Sequence, residues 1–311
     1  MRLSIVVISH DMTRELPRTL RSLSPAMQRG IGARDYEVIV VDNGSRAPLD
    51  EGACRLWLPD LILHRMENPS VSPAPAVNRG LRAARGELVG VFIDGARMAT
   101  PGLLATALAA SRLFERPAIG TLAFHLGHEV QTESVGKGYD QEAEDALLRA
   151  SGWEEDGYRL FDVAVLADSS RKGWFALPAE TNALFLKAAH WLEIGGFDES
   201  FVSPGGGLAN HDVWARICAD PLFDVLMLFG EATFHQVHGG VATNSPVSRY
   251  AEFHAEYERI RGHPFVFSDR KVLLFGSPPP NAMRWIAHSL ALARPSAAPD
   301  PSSPNGISGR A

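Results

Sequence analysis

The sequence is poor in cysteine and has no long apolar segment. Its two cysteines, Cys54 and Cys218, are too few and too far apart for a disulfide framework or a cysteine-rich metal site, so a reducing compartment, the cytoplasm, is expected. No stretch approaches 18 apolar residues, which predicts no transmembrane helix. The opening residues, MRLSIVVISHDM, are more typical of a first core strand than of a signal peptide.

Positive charge is not in excess either. The formal net charge is −6, so the chain lacks the basic footprint of a nucleic-acid-binding protein and no nucleic-acid partner is expected. Hydrophobic residues make up 45% and charged residues 21% of the 311 positions, a composition typical of a globular chain. This length suits one large α/β domain or two smaller ones.

Glycine is missing directly after the first predicted strand. A nicotinamide-dependent enzyme would need G-x-G-x-x-G there, and ISHDMTREL contains no glycine. The loop rich in Gly, Arg and Lys that a nucleotidyltransferase would use for phosphate is absent from the same place. Both enzyme classes are therefore excluded.

Strands and helices alternate regularly in the first third of the chain. Continuous apolar runs predict strands, and helical spacing of apolar residues predicts helices between them. The predicted strands are 4–9, 36–45, 61–66 and 87–94, and the predicted helices are 13–23, 70–86 and 101–114. This order predicts an α/β fold with a mostly parallel central sheet flanked by helices.

The rest of the chain is less regular. The polar sequence of residues 128–160 predicts a long irregular segment with one short helix near 142–150. The pattern of 223–240 predicts a strand, a turn and a second strand. Further helices are predicted within 180–201 and 203–217, after Tyr250 and over 283–293. The last of these is weakly amphipathic, so it either packs on the domain or touches a membrane surface. Residues 295–311 predict a disordered tail.

Two aspartates stand at the ends of predicted strands, where open α/β sheets bind ligands. Asp42, in VVDNGS, can bind a base or a ribose, or simply form a turn. Asp94, in VFIDGAR, can bind Mg²⁺ or Mn²⁺ if the substrate brings phosphate oxygens, or can be the polar end of a buried strand. Arg97 can contact a diphosphate or remain solvated.

Two later segments offer further polar side chains. In TFHQVHGG, His235 and His238 would face opposite ways on a strand, so one of them is expected in a site. A dedicated zinc site is not expected, because no cysteine or further histidine has suitable spacing. In GGGLANHDVW, Asp212 at a helix start is either a general base or a helix cap.

The ordered set of motifs resembles the family 2 glycosyltransferases of GT-A fold over roughly residues 3–245. The motifs are SIVVISH, YEVIVVDNGS, AVNRGLRAARGELVGVFIDG, NALFLKAAHWLEIGGFDESF, HDVWAR and FHQVHGG. The resemblance implies a nucleoside pocket and a metal site. It assigns Ser9 and Asp42 to the nucleoside, Asn78 and Arg79 to the nucleotide sugar, and Asp94 and His238 to the metal, with His235 as the alternative histidine. Arg97 is a candidate for the diphosphate or an acceptor acid from its position three residues after Asp94.

The sequence departs from the family pattern at two places. Ala96 occupies the second position of the Asp-x-Asp motif that begins at Asp94. The Glu-Asp pair before the later helix is also missing: alignment on Arg216 leaves Ala209-Asn210 in its place, whereas alignment on the glycine loop puts His211-Asp212 there. Asp212 is taken as the base, with His211 as the second candidate.

The resemblance implies inverting, hexosyltransferase-type transfer with Mn²⁺ or Mg²⁺, as part of glycan biosynthesis. The donor would be a UDP- or GDP-linked sugar, and the acceptor a glycan, a lipid-linked molecule or a small molecule. Residues 1–115 would bind the donor, 116–248 the acceptor, and 249–294 would form C-terminal helices. The alternative is a catalytically degenerate GT-A domain that binds a nucleotide or glycan without turnover.

Overall fold

The computed structural model describes residues 1–240 and 249–293, where ten strands form one sheet. The strands are β1 (Leu3–Ser9), β2 (Tyr36–Asp42), β3 (Ile62–Arg65), β4 (Leu88–Phe92), β5 (Arg97–Ala99), β6 (Pro117–Leu126), β7 (Ala164–Leu166), β8 (Leu184–Lys187), β9 (Asp224–His235) and β10 (Leu273–Phe275). The predicted disordered tail, 295–311, lies outside the described residues.

Helices occupy most of the connections between the strands. They are α1 (Glu15–Ser22), α2 (Glu51–Arg55), α3 (Ala74–Ala83), α4 (Leu103–Ala110), α5 (Gln131–Ser134), α6 (Gln141–Ser151), α7 (Ala188–Glu193), α8 (Ala209–Ala219), α9 (Tyr250–Arg261) and α10 (Met283–Ala293). Among the described residues, no helix is both long enough and apolar enough to cross a membrane.

The main path of the sheet runs β10-β9-β6-β8-β4-β1-β2-β3, with β5 paired to β9 and β7 to β6. The pairs of β1 with β2 and β4, of β2 with β3, and of β9 with β6 and β10 are parallel. The pairs that involve β5, β7 and β8 are antiparallel. The predicted α/β class with a mostly parallel central sheet is confirmed.

Strand β1 is apolar because it is buried on both faces. Its side chains alternate between two clusters: Val6 and Ile8 pack on one side of the sheet, and Ile5 and Val7 on the other. Since helices cover both sides, a continuous apolar run replaces the alternation of a half-exposed strand. This is why the N-terminal strands could be predicted from the sequence.

The two longest strands differ from the sequence-based prediction. Strand β6 was missed because Pro117 and Gly120 interrupt its apolar pattern, yet all ten of its residues are buried. Residues 224–235 form one long strand rather than two strands joined by a turn. Gly230, at φ +88°, bends β9 without ending it, and a Cβ there would lie 2.4 Å from Pro278.

Candidate active site

A large pocket opens at the carboxyl ends of the central parallel strands. Its volume is about 780 Å³, and its lining includes His10 after β1, Asn43 and Gly44 after β2, and Asp94 after β4. Pockets of this size commonly hold small organic ligands. The location is the one at which open α/β sheets bind ligands.

One carboxylate and two imidazoles converge at this pocket. Asp94 Oδ2 lies 2.9 Å from His235 Nε2 and 3.4 Å from His238 Nε2, and the two Nε2 atoms are 3.1 Å apart. Donor atoms at right angles around one ion, each at a bond length of about 2.1 Å, would lie about 3 Å apart. The three residues thus fit a divalent metal ion by donor type and spacing.

Strand pairing brings these distant residues together. Strand β5 begins three residues after Asp94 and pairs with the end of β9, so that Arg97 lies opposite His235. Strand β9 ends at His235, so the alternation of side chains does not extend to His238. The prediction that the two histidines face opposite ways was therefore wrong, because both reach Asp94.

Gln131, at the start of α5, orients His235. Its side-chain N–H donates to the His235 carbonyl at 3.0 Å, which directs its Oε1 to His235 Nδ1 at 2.6 Å. Because an amide oxygen only accepts hydrogen bonds, Nδ1 carries the imidazole proton and Nε2 keeps its lone pair. Gln131 was not recognised in the sequence, where nothing links it to a residue 104 positions away.

The protonation states suit ligand binding. Burial would raise the pKa of the Asp94 carboxyl, but His238 and His235 hold it well below its usual value. Burial, together with the charge of Arg97, lowers the pKa of His235 to about 4. Burial would also lower the pKa of His238, yet Asp94 raises it. At neutral pH, Asp94 is thus ionised and His235 is neutral, as metal ligands must be.

The two residues after Gly95 have different surroundings. Ala96 is fully buried and donates its backbone N–H to Asp94 Oδ1 at 2.8 Å, which orients the carboxylate. Arg97 lines the pocket with its Nε 3.8 Å from Asp94 Oδ2. Within the described residues, its buried Nε and Nη1 have no hydrogen-bond partner. These donors match an anionic ligand such as a diphosphate.

Ser9 and Asp42 are not among the residues that line the pocket. Both are buried, and Asp42 Oδ1 accepts hydrogen bonds from the backbone and the hydroxyl of Ser45 at 2.9 and 2.6 Å. Asp42 thus holds the turn that presents Asn43 and Gly44 to the pocket, and its contact with a nucleoside stays a prediction.

Asn78 and Arg79 also lie away from the large pocket. Asn78 binds Phe197 through both backbone groups, at 2.8 and 3.0 Å, and donates to Glu199 Oε1 at 2.8 Å. It therefore clamps the GGFDE turn to α3. Arg79 is exposed and does not line the pocket. The placement of both residues near the nucleotide sugar stays a prediction of the resemblance.

Asp212 does not have the exposed carboxylate expected of a base. Its side chain is fully buried, and it accepts hydrogen bonds from Arg216 at 2.9 Å and from Arg261 at 2.6 and 2.8 Å. It is not part of the pocket lining. Asp212 therefore does not reach the pocket, whereas Asn210 and His211 of the same helix line it.

His211, the second candidate, does line the pocket, and so does Glu180, which the sequence analysis missed. His211 Nδ1 lies 3.4 Å from Glu180 Oε2. A usable signal was present in the sequence, because Glu180, Thr181 and Asn182 form a polar triplet that only Ala183 separates from the apolar strand β8.

Residues 4–110 match a family model described as Glycosyl transferase family 2. The resemblance to family 2 glycosyltransferases is confirmed over this segment. This segment contains Asp94 and Arg97, whereas Glu180, His211, His235 and His238 lie beyond its end. No curated protein matches the chain.

Solved structures of TarS from S. aureus share the fold. TarS 1–349 is 16% identical with a TM-score of 0.52, and the match covers 76% of this chain and 60% of that chain. For the same protein in complex with UDP-GlcNAc, the identity is 16%, the TM-score 0.53 and the coverage 84% and 65%. The chain thus spans less than two thirds of the length of these structures, and the predicted GT-A fold is confirmed.

Proposed function

We propose that the protein is a glycosyltransferase that moves a sugar from a nucleoside diphosphate donor to an acceptor hydroxyl with inversion. The observation that carries the proposal is the convergence of Asp94, His235 and His238 at one pocket, whose lining includes Asp94, His238 and Arg97. Two buried donors of Arg97 have no hydrogen-bond partner among the described residues. The match to a glycosyl transferase family model supports it. So do the similar TarS structures with UDP and with UDP-GlcNAc.

Asp94, His235 and His238 would hold the divalent cation in this proposal. A cation bound there supplies Lewis-acid neutralisation of the diphosphate charge. Two of the three donors are imidazole nitrogens, which suit transition metals better than Mg²⁺. Of the two ions that the resemblance implies, we therefore favour Mn²⁺.

Arg97 would bind the diphosphate directly. Two donors of its buried guanidinium have no hydrogen-bond partner among the described residues, and an ionised phosphate oxygen would satisfy them. The guanidinium of Arg97 thereby adds positive charge beside the proposed metal site, which has a single carboxylate because Ala96 replaces the second one. It also stabilises the negative charge that grows on the leaving diphosphate.

We propose that the nucleoside lies in the part of the pocket lined by His10, Asn43 and Gly44. Residues 1–115 would then form most of the donor half, with His235 and His238 contributed from the acceptor half. A hexosyl donor linked to UDP is the simplest candidate, since the similar TarS structures contain UDP and UDP-GlcNAc.

Thermal unfolding with nucleotides tests the donor site. The melting temperature is measured with UDP, GDP, CDP and dTDP, each with and without Mn²⁺, for the wild type and for Asp94→Asn. A nucleotide at a hundredfold excess over its dissociation constant adds about 2.7 kcal/mol to the free energy of unfolding. We expect one nucleotide to stabilise the wild type more strongly with Mn²⁺, and the Mn²⁺ increment to be lost in Asp94→Asn.

The same measurement separates an enzyme from a degenerate binding module when turnover is added. Nucleotide binding without release of nucleoside diphosphate from any sugar nucleotide would favour the binding module. If no nucleotide raises the melting temperature under any of these conditions, the donor site itself is contradicted.

A further inference from the structure

Glu180 lies in a segment that is held firmly against the sheet. The backbone N–H of Ala179 donates to Ser169 O at 2.8 Å. The hydroxyl of Thr181 accepts from Thr121 N of β6 at 2.9 Å. Trp214 of α8 donates its indole N–H to Pro178 O at 3.0 Å. The backbone on both sides of Glu180 is therefore anchored, and its side chain projects into the large pocket from a fixed position.

The carboxylate of Glu180 is held by polar neighbours. Asn210 Nδ2 donates to its Oε2 at 2.7 Å, and His211 Nδ1 lies 3.4 Å from the same oxygen. The side chain keeps 18% of its surface exposed toward the pocket. Burial would raise the pKa of Glu180, but His211, Arg97 and the hydrogen bond from Asn210 outweigh it and lower the pKa. The group is thus ionised at neutral pH.

Other carboxylates of the pocket are already engaged. Within the described residues, the pocket is lined by three of them, Asp11, Asp94 and Glu180. Asp11 binds Arg46 through the backbone N–H at 2.8 Å and through Nε at 2.7 Å. Asp94 belongs to the metal cluster. Glu180 is therefore the pocket carboxylate left to act on a substrate hydroxyl.

We propose that Glu180 is the general base that takes the proton from the acceptor hydroxyl; this rests on the proposed glycosyl transfer. The O–H bond of the acceptor breaks and its proton passes to Glu180. The acceptor oxygen forms a bond to the anomeric carbon, and the bond from that carbon to the diphosphate breaks. The electron pair of that bond leaves with the nucleoside diphosphate, beside Arg97.

The neighbours of Glu180 take positioning roles in this proposal. Asn210 holds Oε2 through its amide N–H and also donates to Thr181 O at 3.1 Å, which fixes the start of α8 relative to Glu180. His211 approaches the same oxygen without meeting the geometry of a hydrogen bond, and its Nδ1 has no partner within the described residues. The carboxylate is thus supplied from the segment before β8, and α8 contributes the amide that orients it.

Turnover and nucleotide binding of variants test the proposal. Release of nucleoside diphosphate is measured from UDP-GlcNAc and from GDP-, CDP- and dTDP-linked sugars with water as acceptor, and the dissociation constant of the nucleotide is measured separately. We expect Glu180→Gln to lower kcat at least about 100-fold, since general bases contribute about 10² to 10⁴. The nucleotide dissociation constant should change less than about threefold. The exposed Glu258→Gln is the matched control and should behave as wild type.

Two further variants decide whether Glu180 or the imidazole of His211 is the base. Glu180→Asp keeps the charge, so it should bind nucleotide as wild type with a kcat between those of the wild type and Glu180→Gln; it also serves if Glu180→Gln does not fold. His211→Gln should lose less turnover than Glu180→Gln. A larger loss in His211→Gln would overturn the assignment in favour of the imidazole.

The remaining outcomes distinguish the inference from the function on which it rests. Turnover of Glu180→Gln close to wild type overturns the base assignment and leaves glycosyl transfer in place. Loss of nucleotide binding together with turnover in this variant also overturns it, since that pattern indicates a structural role. A wild type that neither binds nor turns over any of these nucleotides overturns both proposals.

Discussion

At the scale of single residues, the environment of each carboxylate decides what it does. Asp212 directly follows Asn210 and His211, which line the pocket. Its own carboxylate is turned into the interior, where two arginines neutralise it. Glu180 keeps a face on the pocket and an amide donor behind it. A carboxylate fully paired with guanidinium groups is stabilised where it is and is unsuited to exchange protons with a substrate.

The buried carboxyl of Glu231 lowers the free energy of unfolding by an amount that depends on pH. It is 3% exposed, accepts a hydrogen bond from the Tyr158 hydroxyl at 2.8 Å, and its Oε2 has no partner within the described residues. Burial raises the pKa of Glu231 from 4.5 to about 6. Between these values the folded state holds a proton that the unfolded state releases, so stability falls as the pH rises through this window.

We therefore expect Glu231→Gln to gain stability relative to the wild type as the pH rises. Glutamine can still accept the Tyr158 hydrogen bond and carries no charge to bury. The difference in the free energy of unfolding between variant and wild type should grow by about 2 kcal/mol from pH about 4.5 to about 7.5. Urea denaturation across this range measures it. A difference that stays constant with pH would contradict the shifted pKa.

At the scale of elements, the cluster of Asp94, His235 and His238 depends on pairings that bring separate segments together. The pairing of β5 with β9 places Arg97 opposite His235, and α5 begins with the glutamine that orients this histidine. Neither β5, with three residues, nor α5, with four, is a strong element by itself. Their positions are set by the long strand β9 and its parallel neighbour β6.

Replacement of Gln131 tests this support. In Gln131→Leu, Nδ1 of His235 loses its acceptor, so the proton is free to move to Nε2 and block the lone pair that faces Asp94. We expect the affinity for Mn²⁺ to fall about 10- to 100-fold, the range typical of lost partners behind a metal ligand. Titration calorimetry of the metal with the nucleotide present measures it. Gln131→Glu, which keeps an acceptor for Nδ1, should lose less, and equal loss in both variants would contradict the role.

At the scale of the whole molecule, the polar segment 128–160 links the N-terminal part of the chain to the segment after β9. Arg14 of the N-terminal half binds Asp145 at 2.6 Å and Glu144 at 3.1 Å, both in α6, and donates to Val237 O at 3.1 Å. Glu144 in turn accepts from Val237 N at 2.7 Å. The loop between the two metal-site histidines is thus tied to α6 and to the residue preceding α1.

Removal of Arg14 should destabilise the protein globally. In Arg14→Met, Glu144, Asp145 and the carbonyl of Val237 lose a charged hydrogen-bond donor, and the loss of such contacts around a buried group costs about 3 kcal/mol. We expect the midpoint of urea denaturation to fall by the corresponding amount. Arg46→Met is the control, because Arg46 is 88% exposed and its ion pair contributes little. Similar midpoints for the two variants would contradict the importance of the Arg14 contacts.

Many elements within residues 1–115 could be predicted because the signal for each of them is local in the sequence. The runs 4–9, 36–45 and 87–94 are apolar since β1, β2 and β4 are covered on both faces, and Asp94 stands out as the polar residue that ends such a run. Arg97 was a candidate for the same reason, since it lies three residues away. The predicted elements near 142–150 and after Tyr250 are likewise confirmed as α6 and α9.

The composition of the active site required the tertiary structure. Gln131, Glu180 and the facing pair His235 and His238 come from segments that meet only when the sheet is complete. Contacts across 100 or more residues leave no periodic signal in a single sequence, whereas burial leaves one in every strand. Local sequence patterns thus determined the order of strands and helices and the position of Asp94 at the end of a strand. Which carboxylate reaches the pocket, and which is buried against arginines, was decided by packing.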